Sequence, residues 1–281
     1  MSAVDYLRLV VIEYIPPALM ALLVGFVFAG GTFNNLPSLL LILISTALVV
    51  FGYNTFNAVY DKKIDIINKP YRPLPKGTIT EKHALYLSIF FFVFSMLLSL
   101  LVNLVSFFII CIAIIFAIAY SVPPLHLKRY FLVGNFMGNV MYAVLFPLAG
   151  WSLVINGQIP WQAISILFLF GMGTAIMKDF EDVLGDSLYK VHTIPSSLGN
   201  EHGSVLSGLF IFASFLLLSI FISEGQLGPK YALLSVFIIA SLANLYLVFK
   251  NHVRHKQRQI FINGMIILTL MEVCLVLLRL V

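Results

Sequence analysis

The sequence predicts an all-α membrane protein with nine transmembrane helices, and three observations predict it. Of the 281 residues, 60% are hydrophobic and only 10% charged, with a mean hydropathy of +1.01. A water-soluble domain of this length cannot hide so much apolar surface, because too much of it stays at the boundary. Apolar runs of about 20 residues recur along the chain, the length a helix needs to cross a hydrocarbon core roughly 30 Å thick. The basic residues then gather in alternate loops, which gives the chain a sidedness.

The nine spans run roughly 8–30, 37–60, 83–102, 104–122, 132–154, 160–178, 203–223, 229–249 and 260–280. Pro123 and Pro124 close the fourth, since neither can continue a helical ladder. The link at Val102-Asn103 is so short that the third and fourth helices should be antiparallel neighbours. Asp5, Arg8 and Glu13 interrupt any apolar core at the N-terminus, so no cleaved signal peptide is expected there. With no low-complexity linker, residues 1–281 read as a single polytopic domain.

Loops after the even-numbered spans carry Lys62, Lys63, Lys69, Arg72, Lys76 and Lys82, then Lys128 and Arg129, then Lys178 and Lys190, then Lys250, Arg254, Lys256 and Arg258. That is 14 of the 17 Lys and Arg, and the positive-inside rule puts this side in the cytoplasm. The N-terminus is then inside and the C-terminus outside. The net charge of +5 reports topology and contact with anionic lipid, and nothing points to nucleic acid. Cys111 and Cys274 lie within spans and should be small buried apolar residues without a disulfide.

Six of the twelve acidic residues fall in two short windows at the basic ends of spans. Asp61 and Asp65 follow the second span; Asp179, Glu181, Asp182 and Asp186 follow the sixth, in KDFEDVLGD. Asp61/Asp65 and Asp182/Asp186 are both i,i+4 pairs, so on a helix each pair shares a face, which Asn57 and Asp179 extend by a turn. Like charges at this spacing repel unless a cation stands between them. Hard divalent cations suit the purpose, because Mg²⁺ takes oxygen ligands and accepts one or two carboxylates together with substrate phosphates. Solvated helix-end charges are the alternative, and two equivalent pairs on one side argue against it.

Between the second and third spans, NAVYDKKIDIINKPYRPLPKG spaces Lys69, Arg72 and Lys76 with Pro70, Pro73 and Pro75. The prolines fix backbone angles and bar an easy helix, so the cations are held where a diphosphate would lie. Arg72 can meet phosphate oxygens bidentately, whereas Lys62, Lys63 and Lys82 only set orientation.

At these residues the chain resembles the UbiA-type intramembrane prenyltransferases. NAVYDKKID matches the family's NDxxDxxxD except at Ala58, and INKPYRPLP matches the run that follows. DFEDVLGD with Thr193 and Pro195 matches the second acidic motif, and YSVPPLHLK matches a segment after the fourth helix. The resemblance covers nearly the whole chain and is nearest in style to the archaeal lipid and chlorophyll-synthase-like branches. It implies nine helices around a central cavity, capped by cytoplasmic loops, and Mg²⁺-dependent transfer of a polyprenyl group from its diphosphate to a lipophilic acceptor.

By position, Asn57, Asp61, Asp65, Asp182 and Asp186 are the implied metal ligands. Lys69, Arg72, Tyr120, Lys128 and Lys178 are the implied diphosphate contacts, and Asp61, Asp182, Arg72 and Lys128 the catalytic group. Ala58 removes one carboxylate from the first motif, Ser187 and His192 thin the positive charge of the second, and no Arg precedes Pro16-Pro17. The favoured acceptor is a geranylgeranylglyceryl phosphate-type lipid, with an aromatic or quinone precursor as the alternative.

The chemistry such a site must perform is rupture of an allylic carbon–oxygen bond. Cations stabilise the leaving diphosphate, and aromatic faces stabilise the allylic cation away from water. The rival class is a cation-coupled transporter, whose carboxylates should sit near mid-span rather than crowd one edge beside cations. His252 and His255 read as part of a solvated basic loop, and His126 as a candidate phosphate contact. Gly134 and Gly138 read as a helix-packing pair, and Asn156-Gly157 and Gly225 as turns.

Overall fold

A computed structural model describes residues 3–154, 157–250 and 254–281. His252 and Asn156 lie outside the described residues, as does the side chain of His255. Helices account for all the regular structure among the described residues, with no strand. Eight helical segments are long and apolar enough to cross a membrane: Phe33–Asn68, Glu81–Val102, Leu104–Ser121, Val133–Trp151, Trp161–Glu181, Ile194–Ser223, Pro229–Lys250 and Lys256–Leu280. A bent pair, Ala3–Val10 and Ile12–Phe28, passes the same test as one broken span.

We label the helices α1 (Ala3–Val10), α2 (Ile15–Phe28), α3 (Leu36–Asn68), α4 (Glu81–Val102), α5 (Leu104–Ser121), α6 (Val133–Trp151), α7 (Trp161–Lys178), α8 (Val183–Leu188), α9 (Ile194–Ser223), α10 (Val236–Lys250) and α11 (Arg254–Leu280). The first expected span is not continuous. Pro16 and Pro17 have no N–H to return to the preceding turn, so the ladder cannot run from α1 into α2. The chain turns at Val11, where φ is 51°, and the two helices meet at 47°.

The second span is longer than its apolar run. At 33 residues α3 is about 50 Å long, well beyond the hydrocarbon core, so its last turns carry Asn57 to Asn68 past the apolar zone. Nothing in NAVYDKKIDIIN breaks a helix; Pro70 disfavours helical geometry at Lys69 and ends it. The proline-rich loop is not free of helix either. Pro73 occupies the first position of a one-turn helix, Pro73–Lys76, that stops at Gly77 with φ 74°.

α6 contains a π turn over Met141–Leu145, just before Pro147. α9 begins nine residues before the expected 203, capped by a reciprocal Thr193–Ser196 box, and breaks at Gly199 before entering its long apolar stretch. The α4–α5 link is as short as expected: Asn103 alone separates them and caps α5 through Ser106 N.

Among the described residues the bundle has two large apolar cores and a small third cluster around Leu9 and Ala58. One large core joins α2 to α6 through residues such as Leu22, Ile42, Val49, Ile110 and Phe146. The other large core joins α7, α9, α10 and α11 through Phe170, Ile211, Leu245 and Met271. One cavity draws its lining from both halves. Close backbone approach of α2 and α6 depends on glycine. A Cβ at Gly150 would overlap the Leu22 carbonyl, and one at Gly25 would overlap that of Pro147. Gly150→Ala and Gly25→Ala should therefore each destabilise the detergent-solubilised protein by about 1–3 kcal/mol, read as a lower thermal midpoint.

Candidate active site

The C-terminal turns of α3 bring Asn57, Asp61 and Asp65 to the cavity at helical spacing. From the other half, α7 ends in Lys178 at the same cavity, and the chain continues through Asp179 in a 3₁₀ turn to Asp182 and α8. Asp186 N donates to the Asp182 carbonyl at 3.0 Å, so this second pair shares a face although only one helical turn joins it. All ten residues singled out from the sequence line the same cavity: Asn57, Asp61, Asp65, Lys69, Arg72, Tyr120, Lys128, Lys178, Asp182 and Asp186.

The two acidic windows are tied to each other directly. Asn68 Nδ2 donates to the Asp182 carbonyl at 2.8 Å, and its Oδ1 accepts from Gly185 N at 2.8 Å. Lys69 Nζ lies 2.5 Å from Asp182 Oδ2 and 3.7 Å from Glu181 Oε1. A Cβ at Gly185 would lie 2.5 Å from Asn68 Oδ1, so only glycine allows the approach. Asn68 was not among the residues expected to matter; its signal was its place in INKP, between the acidic face and the first proline.

Each of three aspartates is neutralised by one cation. Arg72 reaches Asp65 Oδ2 at 2.8 Å, Lys128 pairs with Asp61, and Lys69 takes Asp182. Asp61, Asp65, Asp182, Lys69 and Lys128 are all buried. In such surroundings, removing one partner costs about 3–5 kcal/mol, because it strands the other charge. Lys178 differs from the rest. Among the described residues it makes no ion pair, and its Nζ donates to the Tyr120 hydroxyl at 2.8 Å.

The charges outside the membrane spans respond to one another. Burial alone would lower the Lys69 ammonium, but Asp182 and Glu181 outweigh it and the net direction is upward. Arg72 likewise rises against burial because of Asp65. Asp186 is pushed up to about 8, by burial first and then by Asp182 and Asp179. Its carboxylate form lacks a cation close enough to compensate.

A hard divalent cation fits this donor set. The available ligands are oxygens alone, Asp186 lacks compensation, and Asp182 Oδ1 is buried with no hydrogen-bond partner. Among the described residues, however, no three acidic, His or Cys side chains converge as a ready cage, because Lys128, Arg72 and Lys69 stand between them. The protein carboxylates alone would therefore supply only part of such a cation's coordination shell.

Much of the remaining lining is aromatic and apolar, with Tyr14, Tyr53, Tyr142, Phe261, Met265 and Leu268, and Asn54, Asn139 and Thr174 take part as well. Tyr53 and Tyr120 meet edge to face, centroids 5.5 Å apart, and Tyr14 lies 5.5 Å from Phe261. Composition could not single these out among 25 Phe and 12 Tyr.

Several readings change. Ala58 does not face the cavity; it packs with Leu9, Leu74, Ile79 and Ala84, so a carboxylate there would meet an apolar cluster. Gly134 and Gly138 are not a helix-packing pair. Both line the cavity, with Gly134 allowing the Lys128 backbone close (its Cβ would be 2.8 Å from Lys128 Cα) and Gly138 facing open space. His126 is buried beside the cavity rather than lining it, and both ring nitrogens lack partners. Burial, Lys128 and Arg129 lower its pKa to about 4, so it is neutral at pH 7 and offers no charge to a phosphate.

Residues 18–270 match the UbiA prenyltransferase family. The chain belongs to that family. It is an intramembrane prenyltransferase. A digeranylgeranylglyceryl phosphate synthase of Thermococcus gammatolerans is 30% identical over 236 residues, covering 81% of this chain and 80% of the relative. The chloroplastic chlorophyll synthase of Arabidopsis thaliana is 27% identical over 80% of this chain and 61% of its own. The structure of a UbiA homologue from Archaeoglobus fulgidus bound to GPP and Mg²⁺ superposes with a TM-score of 0.75 at 21% identity, over 99% of this chain and 100% of that one. At that identity the likeness speaks for the fold.

The Asn68–Gly185 contact yields a prediction. Gly185→Ala should lower the thermal midpoint and cut turnover, while in an Asn68→Ala background the added alanine should cost much less. A double-mutant cycle on unfolding checks this, with coupling expected at about 0.5–3 kcal/mol.

Proposed function

We propose that the protein transfers a geranylgeranyl group from its diphosphate to the free hydroxyl of a geranylgeranylglyceryl phosphate-type lipid. Nine helices, counting the bent α1–α2 pair as one span, form the ring, and the polar mouth faces the cytoplasm under the loops after α3 and α7. One observation carries the reading: two acidic faces and four cations share a single mouth above an aromatic, apolar cavity. The relatives named digeranylgeranylglyceryl phosphate synthase support the choice of donor and acceptor.

Lys69, Arg72, Lys128 and Lys178 bind the diphosphate. Lys178, free of carboxylates, makes first contact, and the other three turn from their aspartates to phosphate oxygens. The carboxylate oxygens so released, on Asp61, Asp65 and Asp182, would hold Mg²⁺ together with Asp186 and Asn57. When bound, the metal supplies Lewis-acid neutralisation of the charge that builds on the leaving diphosphate.

As the allylic carbon–oxygen bond breaks, its electron pair goes to the diphosphate oxygen, where Arg72 and the lysines are already aimed. The cation left on the prenyl carbon faces Tyr14, Tyr53, Tyr120 and Tyr142, whose ring faces stabilise it while the apolar lining excludes water. The acceptor oxygen then forms the new bond to that carbon and gives its proton to the released diphosphate. Substrates this apolar are already dissolved in the bilayer, which accounts for a site built inside it.

Product analysis tests the reading. Purified protein, Mg²⁺ and a polyprenyl diphosphate are offered a panel of glyceryl phosphate lipids and aromatic acceptors, and products are weighed by mass spectrometry. An ether-linked lipid is expected; an alkylated aromatic product alone would transfer the assignment to quinone-type chemistry. Asp61→Ala and Asp182→Ala should each lower kcat on the order of 10²–10³-fold without preventing membrane insertion. Arg72→Ala should act mainly on donor KM, and Arg72→Lys should recover little of it because a point charge cannot replace a bidentate fork. Chelation of Mg²⁺ should stop turnover and weaken donor binding at least tenfold in direct titration, since metal and donor complete each other's contacts.

A further inference from the structure

The C-terminal helix presents one face to the cavity. Phe261, Met265 and Leu268 of α11 all line it, at steps of four and three residues. The next step of four reaches Glu272. At 100° per residue these four side chains fall within an arc of about 60°, so Glu272 continues the cavity face one turn beyond its deepest lining residue on this helix.

Glu272 is an unusual residue for that place. It is only 2% exposed, makes no ion pair among the described residues, and its Oε2 is buried with no hydrogen-bond partner. Its neighbours in sequence, Met271 and Leu275, are fully buried in the apolar core that joins α7, α9 and α11. The helix does not need a carboxyl there for packing, and an unpartnered one is costly.

Its depth is informative. Arg258 of α11 stacks on the Tyr71 ring, 4.8 Å from its centroid, which sets Arg258 level with the loop that carries Lys69 and Arg72. Fourteen residues of helix separate Arg258 from Glu272, about 21 Å. Each isoprene unit adds four carbon–carbon bonds to an extended chain, an advance of about 5 Å at ordinary bond lengths. A prenyl tail anchored by its diphosphate at the mouth would therefore bring the end of its fourth unit to Glu272.

We infer that Glu272 is the polar end-stop of the prenyl tunnel and sets the upper limit of donor length at about four isoprene units. This rests on the proposed prenyl-transfer reading. A fifth unit would have to press hydrocarbon against the carboxyl and strip whatever polar contact it keeps, whereas an apolar side chain would let the tail slide past or deform the core around it. Glu272 touches no reacting atom; it is a specificity-determining residue.

The test compares wild type with Glu272→Leu, Glu272→Ala and Glu272→Gln in the full-length, detergent-purified protein, with each variant first shown to be monodisperse by size-exclusion chromatography. Diphosphate release is followed with donors of three, four and five isoprene units. The ratio of kcat/KM for the five-unit donor to that for the four-unit donor should rise about tenfold in Glu272→Leu and at least as much in Glu272→Ala. Glu272→Gln, which keeps size and polarity, should stay at the wild-type ratio. Equal ratios in all four proteins would overturn the end-stop while leaving prenyl transfer standing. A rise in Glu272→Ala alone would also overturn it, since bulk and not polarity would then be the barrier. Failure of wild type to release diphosphate from any donor would overturn both this inference and its parent reading.

Discussion

The contact between the end of α3 and the start of α8 is the constraint on which the site depends. Asn68 bonds the backbone of Asp182 and Gly185, and Lys69 reaches the Asp182 carboxylate. These two adjacent residues bring together chain segments more than a hundred positions apart. Other contacts also join the two halves, such as Asn135 Nδ2 to the Ala175 carbonyl and to Asp179 Oδ2, but Asn68 and Lys69 set the acidic windows directly against each other. The requirement reaches down to a single hydrogen atom: position 185 must be glycine for Asn68 to come so close.

Placing this many charges at the edge of a membrane has an electrostatic consequence. In a poorly solvated mouth, lone aspartates would be neutralised by protonation or repelled apart, as the raised Asp186 already shows. Lys128, Arg72 and Lys69 prevent that by pairing with Asp61, Asp65 and Asp182. Under the proposed function, an incoming diphosphate would compete for these cations, and the carboxylates it frees would be available to a metal.

Much of the architecture was legible because membrane insertion is a local property. Run length and charge sidedness depend on neighbours in the chain, and the apolar runs did appear as helices close to their expected limits. Misreadings arose where polar sequence stayed helical or apolar sequence did not. α3 continues to Asn68 because nothing in its charged end breaks a helix, although its apolar run stops earlier. α1 and α2 separate because two prolines interrupt a stretch that hydropathy reads as continuous. Ala58 looked like a missing ligand in a motif, yet a helix turns adjacent residues about 100° apart, and position 58 faces a different set of neighbours from Asn57.

By itself, then, the chain's chemistry determined that the protein sits in a membrane, which end carries its charge, and which acidic and basic side chains are available there. Hydropathy, charge and helical spacing are properties of short segments and need no partner to be read. Only the tertiary structure decided which cation neutralises which carboxylate, which four tyrosines share their cavity, and that Glu272 is buried with no partner for its Oε2. Those facts depend on how distant helices meet. A pairing energy depends on the separation and surroundings of the two charges, so nothing short of the packed bundle can assign it.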